Sequence, residues 1–170
     1  MNEKMLNALN EQINEEMFSS YLYLSMSAYF EDINLNGFAN WMRVQAQEEL
    51  AHAMKFFDFI NERGGRVHLK NIAEPKKEWT STLEAMEETL EHEKHISGCI
   101  DNLVNLALEE KDHAANNFLQ WFVAEQVEEE ASADEILQQV KMTEGKGAGL
   151  FMIDKDLKGR TFVPPVDAGE

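Results

Sequence analysis

The chain has 170 residues, 32 of them acidic and 15 basic, and a formal net charge of −17. This length suits one domain with a substantial core, and 44% hydrophobic with 28% charged residues is typical of a globular protein. The acidic surplus argues against nucleic-acid binding, which needs clustered Lys and Arg, and it favours attraction of cations.

Membrane and export signals are not visible in the sequence. No apolar run approaches the roughly 18 residues of a membrane span. The segment MNEKMLNALNEQ lacks the apolar core and cleavage site of a signal peptide. The single cysteine, Cys99, allows no intrachain disulfide and excludes a multi-cysteine metal site. We therefore predict a cytoplasmic protein.

The first two predicted elements are long helices over about 3–32 and 38–63, joined at a turn marked by Asn36-Gly37. Gly64-Gly65 ends the second helix as a glycine C-cap. The short loop predicts an antiparallel pair. The apolar face of the first helix contains Leu6, Leu9, Ile13, Met17, Leu24 and Ala28.

A linker of about 17 residues, Gly64 to Thr80, precedes the third helix. Fully extended, it can reach roughly 55 Å, whereas a 26-residue helix is only about 39 Å long. It can therefore run the whole length of a bundle. Its apolar residues, Val67, Leu69 and Ile72, favour a packed crossover over a loose loop.

The second half repeats the pattern, with helices predicted over about 81–111 and 113–143. A glycine-rich break leads to a short fifth helix over about 147–158, and the tail over 160–170 is predicted to be extended. The sequence thus predicts a single all-α domain, 1–170, with its bundle over about 3–143.

Ionisable residues interrupt the apolar stripe of every long helix. Glu49 and His52, three residues apart, share one face of the second helix. The other stripes contain Glu16 on the first helix, Glu93 on the third, and Glu125 and Glu129 on the fourth.

A single Glu on a helix is usually solvated, and one His is as often a hydrogen-bonded core residue as a ligand. Carboxylates at similar depth on four helices are harder to explain, because buried charges are costly and no Lys or Arg shares these stripes near mid-helix. Bound cations would neutralise them. Oxygen ligands with one imidazole suit iron or manganese.

The segments NEQINEEMFSSYLYLSM, FANWMRVQAQEELAHAMKFFDFINERGG, LEHEK and NFLQWFVAEQVEEE resemble non-haem ferritins of the bacterial and archaeal type. The resemblance covers about residues 5 to 160. It implies a ferritin-like four-helix bundle with one long crossover between helices two and three and a short fifth helix.

The resemblance also implies site roles. Glu16, Glu49 and His52 would hold a first iron, with Glu49 bridging to a second. The second would be held by Glu93, near Gln126 and Glu129. A third site is implied at Glu48, Glu125 and Glu128, with Glu129 shared. Tyr23 is similar to the tyrosine beside the centre and is predicted to act there, and Trp121 would lie close to it; core packing is the alternative explanation for both.

The implied function is oxidation of ferrous ions by oxygen or hydrogen peroxide, and storage of ferric mineral inside a homo-oligomeric shell. Family members form shells of 24 subunits, with the last helix at a symmetry axis. The sequence by itself establishes neither the subunit number nor the preferred oxidant.

Related families fit less well. A haem-binding bacterioferritin carries Met directly after the helix-two Glu and a second Glu-x-x-His on helix four. Here Leu50 follows Glu49 and helix four lacks that motif, so no haem is expected. A rubrerythrin needs paired CxxC motifs, whereas this chain has a single cysteine. Mini-ferritins place their site between subunits, whereas the ligands here are predicted to lie within one bundle.

Two non-catalytic alternatives stay open: an acidic shell subunit that only stores iron, and a partner-binding helical protein. The four-helix set of acids disfavours both. His92 and His95 lie on more polar positions of helix three and are predicted to be solvated, and Cys99 is predicted to pack as a small hydrophobe.

Overall fold

Five α-helices make up the fold in the computed structural model, which describes residues 1–164 and contains no strand within them. The helices are α1 Glu3–Asp32, α2 Asn36–Glu62, α3 Thr82–Glu109, α4 His113–Met142 and α5 Gly147–Leu157. The all-α prediction is confirmed, and each predicted boundary lies within two residues of the observed one. Residues 160–164 are in no helix or strand, and the rest of the predicted extended tail lies outside the described residues.

Two helical hairpins form the bundle. α1 packs along α2, α3 packs along α4, and the hairpins meet where α1 contacts α3. The short helix α5 then contacts both α2 and α4. The assignment of all 170 residues to one domain stays a prediction.

The glycine C-cap predicted for α2 is confirmed. Gly64 has φ +70°, and its N–H donates to Asn61 O at 2.9 Å. The Gly65 N–H donates to Ile60 O at 2.9 Å. These are the two bonds of a Schellman motif, in which a residue in the left-handed region turns the chain out of the helix. The motif stops α2 and starts the long crossover.

The first turn lies two residues earlier than predicted. Asn36 and Gly37 are the first residues of α2. The left-handed position of the turn is Asn34, with φ 62°. An asparagine tolerates this conformation better than most non-glycine residues, which explains why the chain needs no glycine there.

Gly37 is required for contact with α5. A Cβ built on Gly37 would lie 1.6 Å from the backbone oxygen of Asp154. The carboxylate of Asp154 accepts from the N–H of Gly37 at 2.6 Å and of Phe38 at 3.2 Å. The residue before α2, Leu35, supplies no side-chain cap. Asp154 on α5 therefore caps α2.

Gly37→Ala is expected to lower the free energy of unfolding by about 1–3 kcal/mol, because the added methyl forces α5 away from its capping position. Gly98→Ala is the matched control, since a Cβ on Gly98 in α3 meets nothing within 4 Å. That change should stabilise the helix by roughly 0.5–1 kcal/mol. Thermal unfolding of both variants checks this, and equal melting temperatures would contradict the proposed contact.

The crossover over residues 63–81 runs along α1. The His68 N–H donates to Asn10 Oδ1 at 2.6 Å, and Ser25 Oγ donates to Lys76 O at 2.7 Å. Asn10 and Ser25 are separated by about 22 Å of helix at 1.5 Å per residue. The linker thus follows much of the bundle length, and the predicted long crossover is confirmed.

The core divides into two apolar clusters along the bundle. One contains Phe30, Phe38 and Met86; the other contains Leu9, Phe56 and Ile100. Ionisable residues lie between them in sequence on every long helix. Within the described residues, no helix combines the length and apolarity needed to cross a membrane.

The predicted apolar face of α1 is wrong at two positions. Leu24 is 49% exposed, and Ala28 is also exposed. Steps of four residues advance the direction of a side chain by roughly 40° each, because an α-helix has 3.6 residues per turn. Three such steps from Glu16 turn the predicted stripe out of the core. The buried stripe runs instead through Tyr23, Met26 and Phe30.

Candidate metal centre

A layer of buried polar side chains separates the two apolar clusters. Each long helix contributes to it, because the apolar stripe of each is interrupted between the same two clusters. Its buried members are Gln12, Glu16, Gln45, Glu49, His52, Glu93, Gln126 and Glu129.

Glu16, Glu49 and His52 form the tightest group, with one ligand atom from each lying within 4.8 Å of the others. Each side chain is at most 3% exposed. His52 Nδ1 lies 3.3 Å from Glu49 Oε2, and Glu16 Oε1 accepts from Gln12 at 2.9 Å. Glu16 Oε2 and Glu49 Oε1 are buried without a hydrogen-bond partner. Two unsatisfied carboxylate oxygens beside an imidazole are suited to binding a cation.

Glu93 lies across the layer on α3. Its Oε1 accepts a short hydrogen bond from the Tyr23 hydroxyl, and its Oε2 lies 3.3 Å from Gln126 Nε2. Gln126 also donates to the backbone oxygen of Glu93 at 3.2 Å. Tyr23 and Gln126 therefore fix the orientation of this carboxylate.

A second group joins His52 to α4. His52, Glu125 and Glu129 place one ligand atom each within 4.8 Å, and Glu129 Oε2 accepts from Gln45 at 2.8 Å. Trp121 lies edge-on to the His52 ring at 5.4 Å between centroids. His52 thus lies between two groups of carboxylates.

The residues of the implied third site are only partly together. Glu125 is near His52, whereas Glu128 is exposed and belongs to neither group. Glu48 Oε2 accepts from Arg160 at 2.6 Å. Arg160 also lies over the Trp41 ring, 4.7 Å from its centroid.

Burial strongly raises the pKa of these carboxyl groups. Desolvation, followed by the charge on Glu129, raises the pKa of Glu93 to about 8. Desolvation also raises the pKa of Glu16 and Glu49 well above the usual value, and for Glu49 the charges on Glu93 and Glu129 add to it. The pKa of Glu48 is raised by burial to about 7 despite Arg160. Without a cation, burial and mutual repulsion keep these acids from all being ionised near neutral pH.

The prediction of a solvated His92 is wrong, whereas His95 is exposed as predicted. His92 is buried against α1, where its Nε2 lies 2.7 Å from Ser19 Oγ and its ring meets Tyr23 edge-on at 5.7 Å. Burial lowers the pKa of His92 to about 4. The contact between α1 and α3 covers a position that α3 alone would leave at the edge of its polar face.

Three partners of the site acids are absent from the sequence prediction. Gln12 could have been found, because it lies four residues before Glu16 and thus on the same helix face. The same holds for Gln45, which lies four residues before Glu49. No local pattern identifies Arg160, which is 112 residues from Glu48.

The donor set is typical of a hard or borderline metal. Carboxylate oxygens predominate, one imidazole is present, and there is no sulfur in either group at the centre of the bundle. The four helices that carry these donors are held by the apolar clusters on both sides. Packing of the clusters therefore positions the acids before any metal binds.

Comparison with known proteins gives the family. A profile described as "Ferritin-like domain" matches residues 6–143. A bacterial non-heme ferritin of Bacteroides fragilis is 48% identical over 160 residues, covering 94% of this chain and 99% of its own. A probable bacterial non-heme ferritin-like protein of Haemophilus influenzae is 43% identical, covering 92% and 95%.

The fold has equally similar solved relatives. A structure of the open-pore ferritin of Archaeoglobus fulgidus matches with a TM-score of 0.94 and 55% identity, over 95% of this chain and 99% of its own. An engineered closed form of the same ferritin also gives 0.94 and 55%, over 96% and 99%. Sequence, fold and the buried layer of acids agree: this chain belongs to the ferritin family, as a non-haem ferritin.

Proposed function

We propose that the protein oxidises ferrous iron at a di-iron centre within each subunit and stores the ferric product in a hollow shell. Iron storage and ferroxidase activity are functions of the family to which the chain belongs.

The unpaired carboxylate oxygens of Glu16 and Glu49 carry the proposal. A fully buried carboxylate oxygen without a partner is expensive. Apart from their contact with each other, these two acids are partnered by the neutral amide of Gln12 and the imidazole of His52. Ferrous ions entering the layer would satisfy both oxygens and remove the repulsion between the acids. The metal-free site therefore favours cation uptake.

We assign the ligands as follows. Glu16 and His52 hold the first ferrous ion, Glu93 and Glu129 hold the second, and Glu49 bridges both. The charges on Glu93 and Glu129 both raise the pKa of Glu49, which supports placing Glu49 between the two positions. Gln126 orients Glu93.

Oxidation of a ferrous pair releases two electrons. With two protons from the solvent, these reduce one oxygen molecule to hydrogen peroxide, or one hydrogen peroxide to two water molecules. Carboxylates favour the ferric product, because hard anionic oxygens bind the higher charge more tightly. We propose that Tyr23 acts at this step by holding Glu93 Oε1 in place. Its phenol stays protonated, since burial raises the pKa of Tyr23 well above its usual value.

A third iron position is proposed beside the pair, at Glu48, Glu125, Glu128 and Glu129. The group formed by His52, Glu125 and Glu129 supports it. Glu48 would have to release Arg160, and exposed Glu128 would have to turn toward the site. Because these rearrangements oppose binding, we propose that the third ion is bound transiently.

We further propose a homo-oligomer of 24 subunits. Large apolar side chains exposed on the crossover and on α5 support burial against other copies: Leu69, Ile72, Phe151 and Met152. The cytoplasmic location stays a prediction.

The test is stepwise addition of ferrous iron in air to the metal-free protein and to a Glu125→Gln variant. Wild type should rapidly oxidise about three ions per subunit and the variant about two, because the variant lacks a third-site ligand. Both should then retain many more ions on an assembly of about 24 chains, checked by ultracentrifugation. Oxidation no faster than in buffer would contradict the catalytic proposal; equal rapid phases would contradict the third site.

A further inference from the structure

A second cluster of metal-binding side chains lies outside the carboxylate layer. Glu15 on α1 and His95 and Cys99 on α3 place one ligand atom each within 4.8 Å of the others. His95 and Cys99 are four residues apart and therefore share one helix face. The contact between α1 and α3 brings Glu15 to the same place.

We propose that Glu15, His95 and Cys99 form a separate binding site for a borderline divalent cation of the zinc class. The site joins the two hairpins of the bundle and is independent of the proposed iron oxidation. It differs from the carboxylate layer by containing sulfur.

The spacing of the donor atoms fits a tetrahedral ion. Zinc bonds of about 2.0–2.1 Å to nitrogen, 2.0–2.2 Å to oxygen and 2.3 Å to sulfur give tetrahedral edges of roughly 3.4 Å for N–O and roughly 3.6 Å for N–S. His95 Nε2 lies 3.1 Å from Glu15 Oε2 and 3.7 Å from Cys99 Sγ. Two of the three separations therefore match a tetrahedral ion to within about 0.3 Å, and the third, between the Glu15 carboxylate and the Cys99 thiol, is at most 4.8 Å.

The same nitrogen makes both short contacts, so the imidazole points its Nε2 toward the centre of the trio. The side chains of His95 and Glu15 are 58% and 37% exposed, which leaves access for the ion and for a water in the fourth position. Three protein ligands and one open position differ from a structural zinc site, in which the protein supplies all four ligands.

The Cys99 thiol is unreactive in the metal-free protein. Burial, followed by the charges of Glu15 and Glu16, raises the pKa of Cys99 to about 11. The free thiol thus stays protonated and resists oxidation, because the thiolate is the reactive form. Metal coordination deprotonates a thiol outright, and the nearby negative charges favour the incoming cation.

Cobalt(II) is a suitable probe, because a thiolate ligand gives it a sulfur-to-metal charge-transfer band in the near ultraviolet. The reduced, metal-free assembled protein is titrated without oxygen. We expect this band to level off at the intensity of one cobalt–thiolate bond per subunit and to disappear on zinc addition. The carboxylate layer contains no sulfur, so cobalt bound there gives no such band.

The variants assign the ligands. Cys99→Ser should abolish the band, and His95→Gln and Glu15→Gln should each weaken cobalt binding at least about tenfold. His113→Gln, at the exposed start of α4, is the matched histidine control and should leave the band unchanged. Glu49→Gln should also keep it, which separates this site from the iron centre.

Two outcomes would overturn the proposal. One is the absence of a charge-transfer band in wild type at excess cobalt, which would reduce the trio to a hydrogen-bonded surface cluster. The other is a band that persists unchanged in His95→Gln and Glu15→Gln, which would mean that the cysteine binds cobalt without the other two residues.

Discussion

Glu49→Gln is expected to lower the initial rate of ferrous oxidation by at least about 100-fold, to the rate of iron in buffer. Glutamine keeps the shape of the side chain but loses the charge. Glu49 is fully buried between the Glu16–His52 pair and the charges on Glu93 and Glu129, so one substitution weakens both proposed iron positions. Stopped-flow absorbance of ferric oxo species after mixing with ferrous iron in air measures the effect.

Glu62→Gln provides the control for this experiment. Glu62 is the last residue of the same helix and is exposed, so its neutralisation removes the same charge without touching the buried layer. Its oxidation rate should equal that of wild type. Rapid oxidation by an assembled, correctly folded Glu49→Gln protein would contradict the assignment of Glu49 as the bridging ligand.

The metal-free protein is expected to lose stability steeply as the pH rises from about 6.5 to 9. The pKa of Glu48 is raised to about 7 and that of Glu93 to about 8, both mainly by burial, and those of Glu16 and Glu49 are raised well above normal. In this range the folded state binds more protons than the unfolded state, so deprotonation favours unfolding. The expected loss is on the order of several kcal/mol, or on the order of 10 °C in Tm.

Below pH 6.5 the free energy of unfolding does not change with pH in one direction only, because His92 stabilises the folded state as the pH rises whereas the buried acids destabilise it. Burial lowers the pKa of His92 to about 4, so its contribution is complete above the unfolded value near 6.5 and is lost as the pH falls toward 4. The window from 6.5 to about 8 therefore reports mainly on the carboxylate layer, since nearer pH 9 the raised pKa of Cys99 adds a loss of the same sign. The dependence of stability on pH is measured by calorimetry of the metal-free assembly, at fixed protein concentration and at several pH values in this window.

Metal binding and Glu49→Gln should both reduce that slope. A bound cation removes the repulsion, and it adds stability by mass action because it binds the folded state. The variant removes one carboxyl group that must otherwise be charged at high pH. Metal-free Glu49→Gln should therefore melt above wild type by a wider margin at pH 8 than at pH 6.5, because the cost of ionising buried Glu49 grows with pH above the unfolded value of about 4.3. A wild-type Tm that does not change across the window would contradict a buried layer of acids with raised pKa values.

Local periodicity determined the helices and the acids of the site. An apolar stripe must face the core for each helix to form a bundle, so a Glu inside the stripe can be recognised from the sequence as buried. Glu16, Glu49, His52 and Glu93 were found in this way, and all four are buried. The family resemblance added Gln126 and Tyr23, which are also buried in the layer or against it.

Contacts between residues far apart in the sequence could not be predicted from the local pattern. Asp154 caps α2 from α5, and Arg160 pairs with Glu48, across separations of 117 and 112 residues. The sequence also does not show which face of α3 packs against α1, so His92 was wrongly predicted to be solvated. The sequence contains the helical period and the interrupting charges because both are local. The pairing of helix faces depends on how whole elements pack, and no short-range pattern encodes that.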